Sequence, residues 1–141
     1  MRVLYSILFF ISFSVCTAQL TPTFSGGTVT GYSGSGDTLV IPATNPFDGT
    51  PITEIATFAF DYLYRITSLT LPDSLTKIGD YAFQGCHNIT SLTLPDSITE
   101  IGNYTFGGCY NITSLTLPDS ITKIGDYAFS SCSGLTSLTL P

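Results

Sequence analysis

Cys86, Cys109 and Cys132 recur at a step of 23 residues, and thiols stacked at a fixed step are what a thiolate-bound metal or a redox pair requires. Asp73, Asp96 and Asp119 keep the same step; a column of carboxylates is what a calcium ion would bridge. Ser68 and Thr70 return as Ser91 and Thr93, then as Ser114 and Thr116 and as Ser137 and Thr139. Such a grid of neutral hydroxyls suits sugar hydroxyls or, if flat, the ordering of water. His87 is the single histidine, in a column that reads Tyr64, His87, Tyr110, Ser133. That column varies while its neighbours do not, so it is expected to face solvent as an aromatic ridge that can touch a partner.

Each of these has a plainer reading. Leu63 fills the cysteine slot in an earlier, degenerate copy, so the slot asks for a small or medium apolar group, and buried cysteine behaves as one. A disulfide between neighbouring copies and a metal site stand as alternatives. The aspartates follow prolines, where carboxylates on solvated turns are common, and no dedicated calcium loop is present. The hydroxyl grid also fits an ordinary solvated strand; it carries no charge or ring to select a partner, so binding there would need many weak contacts. The ridge also reads as solvated and inert. Tyr81, Tyr104 and Tyr127, headed by Phe58, read as packing with the hydroxyls at the surface. No serine or cysteine is tied to His87 by a catalytic motif, and no paired acids, phosphate loop or zinc spacing occur. The chain is therefore expected not to be an enzyme and to hold no cofactor or metal. Its candidate partner-binding residues are Ser68, Thr70, Ser91, Thr93, Ser114 and Thr116 on the grid, with Tyr64, His87 and Tyr110 on the ridge.

The elements that position these columns follow from the period. Ile66, Ile89, Ile112 and Leu135 mark copies at 66–88, 89–111, 112–134 and a partial 135–141. Carried backward, the step finds a degenerate copy at 39–65, with seven extra residues near Asn45 to Gly49 and a strand at Leu39 to Pro42. A fixed period of this length means a solenoid. Within a copy, I-T-S-L-T-L turns Leu69 and Leu71 inward and Ser68 and Thr70 outward, which is strand periodicity. Proline ends that strand, a second short one reaches Gly79, and DYAFQGC has the length of one helical turn with Asp80 placed to cap it. One copy buries too little to offset the ordering of its backbone, about 1–2 kcal/mol per residue. Stacking must supply the rest. The column Glu54, Lys77, Glu100, Lys123 alternates in sign, which favours this register over a slipped one.

Residues 1–18, MRVLYSILFFISFSVCTA, place a cation before an apolar run too short for a comfortable span and end in small residues, which reads as a secretory signal peptide cleaved after Ala18. Lipidation of Cys16 is the weaker reading. Cleavage leaves three cysteines, an odd number that cannot form a closed disulfide framework. It also leaves three basic residues, Arg65, Lys77 and Lys123, against ten acidic ones, a net charge of −7. That balance argues against nucleic acid and against anionic lipid, both of which are held by clustered Lys and Arg. With 43% hydrophobic and 10% charged residues, the chain packs rather than staying disordered.

The pattern L-x-x-L-x-L-P-x-x-[LI]-x-x-I-G-x-x-[AT]-F-x-x-C, covering about 39–141, resembles the BspA-like leucine-rich repeat family of secreted and cell-surface proteins. The resemblance implies a curved solenoid, mainly β with short helical turns, and a parallel sheet on its concave face. Residues 19–38 look like an entry segment in which a β-hairpin covers the first coil. The resemblance also implies surface roles such as adhesion to protein or glycan partners, without naming a ligand. The expectation is a secreted or cell-surface, non-catalytic binding scaffold with no membrane insertion once the signal is removed. Two alternatives stand beside it. Leu138 to Pro141 would present an unpaired apolar edge, so the chain reads equally as part of a longer structural protein or as one that self-associates through that edge. The outside alternative is a hydroxyl surface that orders water or ice.

Overall fold

The computed structural model describes residues 19–140. The segment read as a signal peptide, with Cys16, lies outside the described residues, as does Pro141.

Among the described residues ten short strands alternate with tight turns. They are β1 (Thr21–Ser25), β2 (Thr28–Ser33), β3 (Thr38–Val40), β4 (Glu54–Ile55), β5 (Ser68–Thr70), β6 (Lys77–Ile78), β7 (Glu100–Ile101), β8 (Ser114–Thr116), β9 (Lys123–Ile124) and β10 (Ser137–Thr139). The hairpin β1–β2 is antiparallel, and β2 pairs in parallel with β4, setting Val29 opposite Ile55. One sheet then runs through successive coils in the order β1-β2-β4-β6-β7-β9. The expected hairpin cap is thus the first part of the solenoid's longest sheet. It is also pinned from the side: Arg65 donates from its guanidinium to the Gly34 carbonyl at 3.0 Å and lies 5.9 Å over the Tyr32 ring, which stacks on Phe60.

The core is a set of columns. Phe60, Phe83 and Phe106 are fully buried, and their rings, continued by Phe129, stack at 5.1, 5.5 and 5.7 Å. Ile55, Ile78 and Ile101 form a second buried column, and Ile66, Ile89 and Ile112 a third. The sign-alternating column stands as expected, with Glu54 opposite Lys77, Lys77 opposite Glu100 and Glu100 opposite Lys123. Lys77 Nζ meets Glu54 at 3.0 Å. That hydrogen bond and the Glu54 charge, then Glu100 and Asp80, hold the ammonium above its usual pKa. Both partners are well exposed, so the pair sets register more than it adds stability.

Two expectations are corrected. The first is the helical turn at 80–86: among the described residues there is no helix. Alternate amides reach the next coil instead. Tyr81, Phe83 and Gly85 donate to the carbonyls of Asn103, Thr105 and Gly107 at 2.8–2.9 Å, while Ala82, Gln84 and Cys86 between them close turns onto Gly79, Tyr81 and Phe83. A one-turn helix here would bond only Gln84, Gly85 and Cys86 back within the segment; this arrangement ties coil to coil, at the cost of positive φ at Tyr81 and Gly85. Asp80 caps no helix. Its Oδ1 accepts from the Asn103 amide at 2.7 Å and its Oδ2 from Asn103 Nδ2 at 3.2 Å.

The second correction is one of extent: the expected parallel pairing on the S-L-T side is present but interrupted. On the S-L-T side β3 pairs with β5 and β8 with β10, as two separate ladders. Residues 91–93 form no strand, and no backbone hydrogen bond links 90–94 to a neighbouring coil. The hexapeptide I-T-S-L-T-L is the same at 66–71, 89–94 and 112–117, so propensity does not explain the break. Here the coil stands apart from both neighbours, with a hollow on either side.

Candidate binding surfaces

The hydroxyl grid is present but divided. Ser68, Thr70, Ser91, Thr93, Ser114 and Thr116 are all exposed. Between the coils that carry them lie two hollows, about 290 Å³ beside Thr70 and Thr93 and about 370 Å³ between Ser91–Leu94 and Ser114–Thr116. The structure does not gather these six residues into one flat lattice, and the water-ordering reading loses the surface it needs.

The cysteine column is an internal feature. The thiols of Cys86, Cys109 and Cys132 are free, and each donates to the carbonyl of the preceding coil's phenylalanine: Phe60 at 3.3 Å, Phe83 at 3.4 Å and Phe106 at 3.1 Å. Burial pushes the Cys86 thiol from 9.0 up to about 12 and raises Cys109 and, to a lesser depth, half-buried Cys132. At pH 8 a maleimide is therefore expected to modify Cys132 before Cys86 and Cys109, because a neutral buried thiol is a poor nucleophile. Mass spectrometry of the labelled peptides reads this directly, and equal rates at all three would contradict the closed core. The sign of the pH effect follows as well. Above pH 9 the unfolded chain releases thiol protons that the folded chain keeps, so stability falls as pH rises from about 9 towards 12.

Asp73, Asp96 and Asp119 are exposed after their prolines, and among the described residues no group of three or more His, Cys, Asp or Glu side chains is placed to hold an ion.

The aromatic columns make a further shaped surface. Phe58, Tyr81, Tyr104 and Tyr127 stack face to face at 4.9, 5.2 and 4.9 Å. All four have positive φ, between 51° and 59°, a conformation that aromatic residues rarely adopt. The coil-to-coil hydrogen bonds from the Phe58, Tyr81 and Tyr104 amides hold it in place. Desolvation first, then the neighbouring phenols Tyr127 and Tyr81, raise the Tyr104 pKa, keeping it a neutral donor. Tyr64, His87 and Tyr110 form a second, wider ladder at 6.3 and 5.4 Å. Here the expected solvent-facing ridge is partly corrected. Tyr64 and Tyr110 are exposed, but His87 is half-buried between them, and its Nδ1 is buried without a hydrogen-bond partner among the described residues.

Between the ladders runs a groove of about 250 Å³ floored by Gly85, Gly107 and Gly108, with Tyr62, Tyr104, His87 and Tyr110 along its margins. Tyr62 is the residue that column reading passed over. Its column continues as Gly85, Gly108 and Ser131, so it is a lone ring in a column of small residues, and that contrast was the available signal. The ring lies over Gly85, where a Cβ would sit 2.7 Å from its Cδ1. No Asp, Glu, Lys or Arg lines the groove; the one carboxyl of the adjoining Gln84 column, Asp61, lies a coil earlier.

The comparisons with known proteins agree with this architecture. A family model described as the BspA type leucine rich repeat region matches residues 53–141 in six copies. A leucine-rich repeat protein of Bacteroides capillosus is 29% identical, with a TM-score of 0.71 over 91% of this chain and 96% of that one. That of T. pallidum is 27% identical, with a TM-score of 0.69 over 91% and 71%. A third, from Bacteroides ovatus, is 25% identical, with a TM-score of 0.64 over 92% and 41%. A search of curated proteins gave no match. The 23-residue columns, the parallel stacking of coils and the family match over most of the chain agree: this protein belongs to the BspA-type leucine-rich repeat family.

Proposed function

We propose that this chain is a non-catalytic binding scaffold of the secreted or cell-surface kind, holding a protein or glycan partner on its aromatic side. The observation that carries the reading is the exposed ridge of Tyr64 and Tyr110 beside the groove, mounted on turns that are hydrogen-bonded from coil to coil. Rigid aromatic groups lose little entropy when a partner covers them, which is why they dominate binding hot spots. The S-L-T face offers hydroxyls without such anchors.

The test is retention of the full chain on surfaces coated with collagen, laminin, neutral glycans or sulfated glycans, read by surface plasmon resonance. Retention on at least one surface is expected, weakened roughly tenfold or more by the double change Tyr64→Ala and Tyr110→Ala. Loss of that difference, or no retention anywhere, would overturn the reading.

A second reading, self-association, has its own observation. Ile124, Leu138 and Leu140 are exposed, and among the described residues β9 and β10 are each paired on one edge. Such strands template further pairing. Light scattering on the same samples decides it: a mass that stays monomeric as concentration rises removes this reading.

A further inference from the structure

Within the two ladders the inner rings, Tyr81, Tyr104 and His87, are stacked on both faces and leave only their edges for a partner, while each end ring is stacked on one face. Tyr62 differs. It is 60% exposed, and no aromatic ring stacks on it among the described residues. It stands at one end of a glycine-floored trough, with its ring over Gly85, and a ligand in that trough approaches the backbone most closely at Gly108. The lining has no Asp, Glu, Lys or Arg; its polar groups are phenols, the His87 imidazole, the Gln84 amide and the Ser130 and Ser131 hydroxyls. A flat ring for C–H contacts, ringed by neutral hydrogen-bonding groups, is the chemistry that recognises an uncharged pyranose. Successive coils lie about 4.8 Å apart, close to the advance of one hexose along an extended chain, so each coil can meet one sugar. A sulfated or uronic chain has no Lys or Arg in the groove to meet it and faces a protein of net charge −6.

We propose that the groove floored by Gly85, Gly107 and Gly108 binds a neutral oligosaccharide lying along the solenoid axis, with the Tyr62 ring as its stacking platform and Tyr104 and Tyr110 as its rims. The proposal rests on the binding-scaffold reading above and gives that partner's chemistry.

Calorimetric titration of the full chain with cellohexaose, xylohexaose, mannohexaose, chitohexaose and a heparin hexasaccharide tests it. At least one neutral hexasaccharide is expected to bind and the heparin fragment not to. Tyr62→Phe keeps the ring and should keep the affinity. Tyr62→Leu keeps an apolar cover over Gly85 but removes the ring, and should weaken binding about tenfold. Ser130→Leu fills the trough away from Tyr62 and should weaken it comparably, with circular dichroism unchanged in all three. Equal affinity across the three variants would place the sugar elsewhere and overturn the groove assignment while leaving the scaffold reading intact. Binding of heparin alone, or retention on collagen or laminin with no hexasaccharide bound, would overturn the oligosaccharide assignment and again spare the scaffold. Failure of every hexasaccharide and every coated surface would remove both.

Discussion

Phe83→Ala is expected to destabilise the protein by about 3–5 kcal/mol, the usual loss when a fully buried phenylalanine leaves a cavity that its surroundings cannot fill. The environment argues for the upper part of that range. Phe83 stacks on Phe60 at 5.1 Å and on Phe106 at 5.5 Å, so its removal weakens the interfaces with two neighbouring coils. In a solenoid those nearest-neighbour interfaces supply the stability that a single coil lacks. Phe129 is only partly buried and stacks on Phe106 alone among the described residues, so Phe129→Ala should cost roughly half as much. Urea denaturation followed by circular dichroism compares the two. Equal losses would show that the ring column is not what couples the coils.

Gly102→Ala should cost about 3 kcal/mol, near the top of the range for overpacking a rigid site, although alanine is normally the milder residue. A Cβ at Gly102 would stand 2.6 Å from the Asp80 amide nitrogen and 2.7 Å from the Gly79 carbonyl carbon of the preceding coil. Backbone cannot swing aside as a side-chain tip can, so the coils must separate, and the Gly102 amide's 2.8 Å bond to the Ile78 carbonyl is strained with them. Gly49 is the contrast. Its φ is +74°, but nothing lies within 4 Å of its absent Cβ, so Gly49→Ala carries only the left-handed penalty of about 1–2 kcal/mol. If the two variants melt alike under the same denaturation, close coil packing is not what Gly102 provides.

The period and the columns were legible because every coil faces the same neighbours and so repeats the same side-chain demands. Glu54, Lys77, Glu100 and Lys123 could be set in register from the sequence for that reason, and Leu63 in the cysteine slot correctly marked that slot as apolar. The turns were not legible. DYAFQGC has helical length and a capping aspartate, and local rules favour a helix; bonds from Tyr81, Phe83 and Gly85 to the next coil outweigh those rules, and such bonds are invisible in a single copy. The split between β5 and β8 was equally hidden, since the three hexapeptides are identical. As for the site, the ridge at Tyr64, His87 and Tyr110 was found because its column varies. The trough beside it was missed because it is built from what is absent, the side chains of Gly85, Gly107 and Gly108, with Tyr62 as the exception that reveals it.

The uneven bonding around each coil also gives the molecule a direction of give. Along the glycine and aromatic sides, spreading two coils means breaking bonds such as Tyr81 to Asn103 and Gly79 to Ile55. Along the S-L-T side, residues 90–94 can part from their neighbours without breaking any backbone bond. The chain is therefore built like a bound book, stiff at the spine and with one loose leaf at the fore-edge. Load applied along its length opens the hydroxyl face first at 90–94, between the β3–β5 and β8–β10 ladders, while the aromatic trough on the bound side keeps its spacing.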